Sequence, residues 1–216
     1  MQAQPPRILI VVSRRFNGHE FWTALGVLKE NGIKFDVVAS DKLIMDELTF
    51  KPVRIKLQFS ECTPELIDSY DGLMVISGNP KDTESHWHHD LVQEWVVRAN
   101  NRNIPIAGIC CSAPTVRKAA RGKRVSFFPL VRSRILLEEA GAICTTVAVS
   151  VDQNLVTAEH EMATQMWAEC FCKLMRGEDA DPKLQDSGYV PRGRKKKPIP
   201  EIARLQAQPP VHKKAK

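Results

Sequence analysis

Short apolar runs alternate with helical stretches over the first 175 residues, and this alternation limits the fold more than any other feature of the sequence. The run "ILIVV" at 8–12 is rich in β-branched residues, as expected of a strand buried on both faces of a parallel sheet. In "GHEFWTALGVLKENG" the apolar residues recur at helical spacing, and Gly32 is a good helix stop. A second strand, "IKFDVVAS", follows. These segments predict a β-α-β unit.

The same pattern continues along the chain. Further strands are expected in "GLMVIS", "IPIAGI" and "RVSFF", and "TTVAVSVDQNLVTA" predicts two strands around a turn at 152–154. Helices are expected between them, and "APTVRKAA" begins one with Pro114 in its first turn. The prediction is an α/β fold with a doubly wound, mostly parallel sheet flanked by helices, a flavodoxin-like three-layer sandwich. In such sheets ligands bind beyond the carboxyl ends of the strands, which directs attention to the loops at 13–20, 77–84 and 109–114.

The alternation stops after Met175. We therefore predict an α/β domain over 1–176 and a basic, Pro-rich, disordered tail over 177–216. The tail has ten Lys and Arg against five Asp and Glu, so most of the net charge of +6 belongs to it. Its cluster "RGRKKK" at 192–197 allows weak, non-specific contact with nucleic acid or another anionic surface. A solubilising tail is the favoured interpretation.

Targeting and metal signals are missing from the sequence. No apolar run reaches the ~18–20 residues needed to span a bilayer, and the start lacks a signal-peptide pattern, so a cytoplasmic protein is expected. The six cysteines should then be reduced. Their spacing includes C-x-C but no paired zinc motif, and "HWHHD" at 86–90 is better explained as a helix start than as metal ligands. We expect no metal and no cofactor.

The stretch "GICCS" at 108–112 has the pattern of a nucleophile elbow, in which a sharp turn between strand and helix presents a nucleophile. The residues two before and two after the nucleophile must be small. Centring the turn on Cys110 places Gly108 and Ser112 there, and centring it on Cys111 fits less well. A thiol at a helix start should have a lowered pKa, and the same amides can stabilise an oxyanion. The alternative is that both cysteines are small core residues at a strand end.

The elbow resembles the "A-I-C-H/A-G-P" turn of the ThiJ/PfpI family, in the class I glutamine amidotransferase-like superfamily. The segment "DGLMVISGN" is similar to that family's "D-G-L-V-I-P-G-G" strand and loop. The segment "VSVDQNLVTA" is similar to its "V-V-D-G-N-L-V-T" hairpin. The likeness covers roughly residues 7–175, and the order and spacing of the segments make it specific.

The resemblance implies roles for several residues. The family's cysteine is partnered by a Glu after the first strand, and Glu20 stands at that place. A carboxylic acid beside a thiolate would stay protonated and could donate a hydrogen bond to sulfur. The alternative for Glu20 is a solvated residue in the first helical turn. Gly78, the N–H of Asn79, Cys111 and Ser112 are expected to bind the oxyanion or substrate. The alternative for Gly78 is an ordinary glycine between a strand and a loop.

Two departures from the family pattern leave alternatives open. Peptidase-like members carry His directly after the cysteine, and Cys111 in that position argues against peptidase activity. Aligning "APT" with the family's "G-P-T" would instead make Cys111 the nucleophile, so it remains the alternative. His160 follows the last hairpin and could reach the thiol, although a surface His at a helix start is the favoured interpretation.

The resemblance implies a hydrolase or lyase that acts on a small carbonyl or amide substrate, of the glyoxalase, deglycase or amidase type. Cys110 would attack, and Glu20 would hold or relay a proton. The alternative is a non-enzymatic oxidative-stress sensor or chaperone-like protein that uses the same cysteine. The resemblance also implies a homodimer.

Overall fold

A seven-stranded sheet organises the computed structural model, which describes residues 4–182. The strands are β1 (Arg7–Val12), β2 (Arg15–Phe16), β3 (Lys34–Ala39), β4 (Leu43–Asp46), β5 (Pro52–Arg54), β6 (Leu57–Gln58), β7 (Gly72–Ile76), β8 (Ile106–Ile109), β9 (Arg124–Ser126), β10 (Ile143–Thr145), β11 (Val149–Asp152) and β12 (Leu155–Ala158). The α-helices are α1 (Gly18–Glu30), α2 (Pro64–Asp68), α3 (Pro80–Trp87), α4 (Asp90–Asn101), α5 (Val131–Glu139) and α6 (Thr164–Met175). Three further segments are 3₁₀ helices: Phe59–Glu61, Cys110–Ala119 and Glu161–Ala163.

The sheet order confirms the predicted doubly wound fold. The strands lie in the order β11-β12-β8-β7-β1-β3-β6, and every neighbouring pair is parallel except β11 with β12. The chain therefore starts near the middle of the sheet and winds outward to both edges. The predicted turn between the last two strands is the β11–β12 hairpin.

The central strand β1 is apolar throughout because it contributes to a core on each face of the sheet. Ile8 and Ile10 pack on one face, in the core that contains Trp167 of α6. Leu9 and Val11 pack on the other face with residues of α4. All four side chains are buried, and burial of each stabilises the fold by roughly 1.5–3 kcal/mol.

Two peripheral regions complete the described part of the chain. The stretch after β3 forms the β4–β5 antiparallel hairpin, which joins β2 in a small separate sheet. Of the predicted tail, the structure describes residues 177–182, among which Ala180 is buried. The rest of the tail, including the basic cluster at 192–197, lies outside the described residues. Within residues 4–182 no helix is long and apolar enough to cross a bilayer.

Candidate active site

The turn between β8 and the following 3₁₀ helix is centred on Cys110. Cys110 has φ +54°, in the left-handed region that a residue with a Cβ rarely adopts. A Cβ on Gly108 would lie 3.0 Å from Cγ2 of Val116, so a larger residue would crowd the doubled-back chain. The Ser112 hydroxyl accepts from the Ile109 N–H at 2.9 Å and so closes the turn. The structure therefore has the elbow geometry at Cys110 and not at Cys111.

The helix after the elbow begins earlier than expected and is a 3₁₀ helix, Cys110–Ala119. We expected a helix starting at Ala113 with Pro114 in its first turn. Pro114 instead lies inside the helix, where its missing N–H leaves the Cys111 carbonyl without its 3₁₀ partner. The indole N–H of Trp87 donates to that carbonyl at 2.9 Å. This bond fixes the backbone that carries Cys111.

Glu20 projects from the first turn of α1 into the protein interior. The Asn17 side chain caps the helix and accepts from the Glu20 N–H at 3.2 Å. The side chain of Glu20 is 0% exposed. The Ser77 N–H donates to Glu20 Oε2 at 2.8 Å, and the Ser77 hydroxyl lies 2.7 Å from Oε1. The alternative of a solvated Glu20 is therefore wrong.

Burial raises the pKa of Glu20 well above its ordinary value, and the nearby Cys110 raises it further. Both effects favour the protonated carboxyl, which would have a proton to donate. The Ser77 side chain also interacts with the Cys110 sulfur and partly offsets the rise in the pKa of that thiol that Cys111 and burial cause. Ser77 therefore connects Glu20 with Cys110.

The two cysteine sulfurs form a hydrogen-bonded pair. Sγ of Cys110 donates to Sγ of Cys111 at 3.9 Å, and this bond lowers the pKa of Cys111. The same bond, together with burial, raises the pKa of Cys110 above its ordinary value. We expected the helix start to lower the pKa of Cys110, and that expectation is wrong. Cys111 is the more acidic sulfur of the pair.

The loop after β7 passes close to the β2 segment. A Cβ on Gly78 would lie 2.0 Å from the Arg15 carbonyl oxygen, so this position has no room for a side chain. The Asn79 N–H donates to that same carbonyl at 2.8 Å. The Asn79 side chain accepts from the Lys81 N–H at 3.3 Å and caps α3. The N–H expected to bind an oxyanion is therefore engaged with Arg15.

The Ser112 hydroxyl is likewise occupied within the fold. It contacts the carbonyl of Val75 at 2.8 Å and that of Ile109 at 2.7 Å, in addition to the N–H it accepts from. The hydroxyl of Ser112 thus ties the elbow to β7. Of the polar groups of Ser112, only the backbone N–H remains a candidate hydrogen-bond donor to an oxyanion.

A cleft of about 440 Å³ lies beside the start of α3, where Asn79 and Pro80 form part of its wall. The charges of Glu84 and Arg132, two of its lining residues, raise and lower the pKa of Cys111 respectively. The cleft is also lined by Arg15 and Lys81, so cationic groups outnumber the acidic one in its wall. The cleft has room for a small molecule.

His160 lies at the same end of the sheet as the elbow. Ala158 of β12 pairs with Ile109 of β8, and His160 follows two residues later. Its Nδ1 accepts from the Met162 N–H at 3.1 Å and caps the 3₁₀ segment Glu161–Ala163. His160 thus stands at a helix start, which is the interpretation that the sequence favours.

Comparison with known proteins decides the family. The model of the DJ-1/PfpI family matches residues 6–173, more than three quarters of the chain. The chain belongs to the DJ-1/PfpI family. This confirms the ThiJ/PfpI resemblance drawn from the elbow and the flanking segments.

Similar proteins cover most of the DJ-1/PfpI domain. The chain is 25% identical over 154 residues to an uncharacterized protein of Methanocaldococcus jannaschii, covering 70% of this chain and 73% of that protein. A ThiJ/PfpI domain protein from Brachyspira murdochii aligns with a TM-score of 0.72 and 18% identity, over 81% of this chain and 99% of that one. DJ-1 of Schizosaccharomyces pombe aligns with a TM-score of 0.67 and 20% identity, over 79% and 90%. These structures show the shared fold.

Two histidines of the "HWHHD" stretch at 86–90 pack against an aromatic ring within the DJ-1/PfpI domain. The rings of His86 and His89 lie 5.6 Å and 5.0 Å from the ring of Phe59. Burial lowers the pKa of His86 to about 4. Among residues 4–182, no group of three or more His, Cys, Asp or Glu side chains could hold a metal ion.

Replacing Glu20 with Gln tests its protonation. The pKa of a Glu side chain in an unfolded chain is about 4.3, and folding raises the pKa of Glu20 above this value. The protonated carboxyl therefore contributes stability that is fully present below the unfolded pKa and is lost as pH rises through the folded pKa. The Gln amide mimics the neutral acid at every pH. The free energy of unfolding of wild type minus that of Glu20→Gln should fall with rising pH, by up to ~1.4 kcal/mol per unit.

Urea unfolding at a series of pH values measures this difference. The exposed Glu30→Gln variant of α1 is the matched control, and its difference from wild type should not show this fall. A Glu20 difference that rises with pH would mean that the carboxylate is the favoured form, contrary to the burial argument.

Proposed function

We propose that this chain is a cysteine-dependent hydrolase or lyase that acts on a small carbonyl or amide compound. The observation that carries the proposal is the elbow cysteine at φ +54°, linked through Ser77 to the buried acid Glu20. A strained nucleophile at a helix start beside a neutral acid suits attack on a carbonyl carbon followed by protonation. Family membership supports the proposal, since the family includes enzymes as well as stress-response proteins.

In the proposed mechanism the Cys110 sulfur attacks the carbonyl carbon while its proton passes to Cys111. The two sulfurs are 3.9 Å apart and already hydrogen-bonded in that direction. Cys111, whose pKa is lowered by the hydrogen bond from Cys110, would thus serve as the proton acceptor in the place where other members carry His. Cys110 thus keeps the role of nucleophile that the sequence predicts, and Cys111 becomes the proton acceptor instead of the alternative nucleophile.

The carbonyl electron pair would move onto oxygen as the C–S bond forms. The backbone N–H groups of Cys111 and Ser112 at the helix start, with Gly78, would stabilise that oxygen. Glu20 would supply a proton through the Ser77 hydroxyl, which bridges it to the site. His160 is a further candidate for a catalytic role only because it lies at the same end of the sheet as the elbow.

A substrate panel tests the proposal. The purified protein is incubated with methylglyoxal, a small amide and a peptide, each with and without pretreatment by iodoacetamide. We expect turnover of the carbonyl or amide compound and its loss after alkylation of the pair. Turnover that survives complete alkylation of Cys110 and Cys111 would contradict the proposal.

A second candidate is an oxidative-stress sensor that uses the same cysteine. The close contact of two sulfurs favours it, because the hydrogen bond between them favours a thiolate, which can react with peroxide without any substrate carbonyl.

A homodimer and a cytoplasmic location remain parts of the proposal. Exposed apolar side chains at Trp22, Leu48 and Phe50 support a subunit contact. Sedimentation as a monomer at micromolar concentration would contradict the dimer.

A further inference from the structure

The two adjacent sulfurs at the elbow have a capacity that a single elbow cysteine lacks. We propose that Cys111 is the resolving thiol for oxidised Cys110, so that peroxide converts the pair into a reversible disulfide between neighbouring residues. The inference deepens the second candidate function and rests on it only in that Cys110 must react with peroxide. It does not depend on hydrolase or lyase activity.

The geometry already brings the reacting atoms together. The Sγ atoms are 3.9 Å apart, whereas the sulfurs of a disulfide are about 2.0 Å apart. The two sulfurs therefore have only a short distance to move before they can bond. Cys110 and Cys111 are only 7% and 6% exposed. A bulky external thiol therefore has poor access to an oxidised Cys110, whereas Cys111 is in contact with it.

The chemistry balances with a hydroperoxide as the oxidant. The Cys110 sulfur attacks the terminal peroxide oxygen, the O–O bond breaks, and the thiol proton goes to the departing alkoxide, so that a sulfenic acid and an alcohol form. The Cys111 thiolate then attacks the Cys110 sulfur, the S–S bond forms, and the S–O bond breaks to release water once protonated. Two electrons have passed from the dithiol to the peroxide. A small dithiol reductant would return them to the protein.

The resulting disulfide would be easily reduced. Adjacent Cα atoms are ~3.8 Å apart across a trans peptide, whereas disulfides usually join Cα atoms roughly 4.4–6.8 Å apart. Such strain makes a disulfide labile, which suits a switch and not a structural cross-link. Closure would also prevent further oxidation of Cys110 to the irreversible sulfinic acid. The pair would thus be a protective redox switch at the site.

Mass spectrometry after treatment with a molar excess of hydrogen peroxide tests the inference. We expect the wild-type peptide that contains Cys110 to lose two hydrogen atoms and to regain them with dithiothreitol. The Cys111→Ser variant should instead gain two oxygen atoms at Cys110, and dithiothreitol should not reverse this change. Cys144→Ser, which alters a cysteine outside the pair, should behave like wild type.

Three results would overturn the inference. The first is wild-type Cys110 reaching the sulfinic acid as fast as in Cys111→Ser, which leaves the sensor proposal intact. The second is a disulfide that joins Cys110 to another chain, visible on a non-reducing gel. The third is no reaction of Cys110 in either protein, which also removes the sensor. If Cys111→Ser does not fold, the wild-type peptide still decides, because the loss of two hydrogens within it either occurs or does not.

Discussion

Replacing Cys110 with serine is expected to lower turnover of the carbonyl or amide substrate by about 10³-fold or more. Serine has nearly the same size, so the elbow should fold unchanged. Its hydroxyl is a far weaker acid than a thiol, and Cys111 cannot take its proton readily at neutral pH. The attack on the carbonyl carbon would therefore fail although the substrate still binds.

Steady-state kinetics of two further variants assign the roles within the pair. Cys111→Ser removes the proton acceptor at 3.9 Å but leaves the nucleophile, so a loss of roughly 10²-fold is expected. Cys144→Ser, at a half-buried cysteine outside the site, should keep wild-type rates. If Cys111→Ser costs more activity than Cys110→Ser, the attacking sulfur is Cys111 and the assignment made from the elbow is wrong.

Replacing Gly78 with alanine is expected to destabilise the fold by roughly 3 kcal/mol or more. The added Cβ would lie 2.0 Å from the Arg15 carbonyl oxygen and 2.5 Å from Cα of Phe16. Both are backbone atoms, so no flexible side chain can move aside. Phe16 and Gly78 are bridged across this contact, and separating them would also strain the loop that carries Ser77.

Urea unfolding of a matched variant controls for the chemistry of the Gly-to-Ala change. Gly26 lies within α1 and has nothing within 4 Å of the position of its Cβ. Gly26→Ala should stabilise the protein by ~1 kcal/mol, because alanine favours a helix. Equal effects at Gly78 and Gly26 would show that the loop does not depend on the close approach to Arg15.

The fold could be predicted because its signals are local. The "ILIVV" run of β1 is apolar at each position since both faces of this strand are buried, and periodicity alone indicates this. The elbow could be placed at Cys110 for a similar reason. The need for small residues at 108 and 112 is a steric rule that the letters of the sequence express directly.

The rest of the site depends on contacts between distant segments. Ser77 was missed because a serine before a loop glycine is unremarkable until Glu20, 57 positions away, is seen to bond it. The Asn79 N–H was misjudged because its partner, the Arg15 carbonyl, is equally remote. The acidity of the two thiols follows from burial and from the direction of one hydrogen bond, neither of which the sequence displays.

The central claim is that the Cys110–Cys111 pair is the reactive centre of this protein. The most direct test is the rate of iodoacetamide alkylation at each cysteine of the folded protein, mapped by mass spectrometry. Cys144 is more exposed than either member of the pair, so exposure alone would make it react first. The structure predicts that the pair is alkylated at least about tenfold faster than Cys144, because the hydrogen bond between the sulfurs favours a thiolate. Faster alkylation of Cys144 than of both Cys110 and Cys111 would contradict the claim.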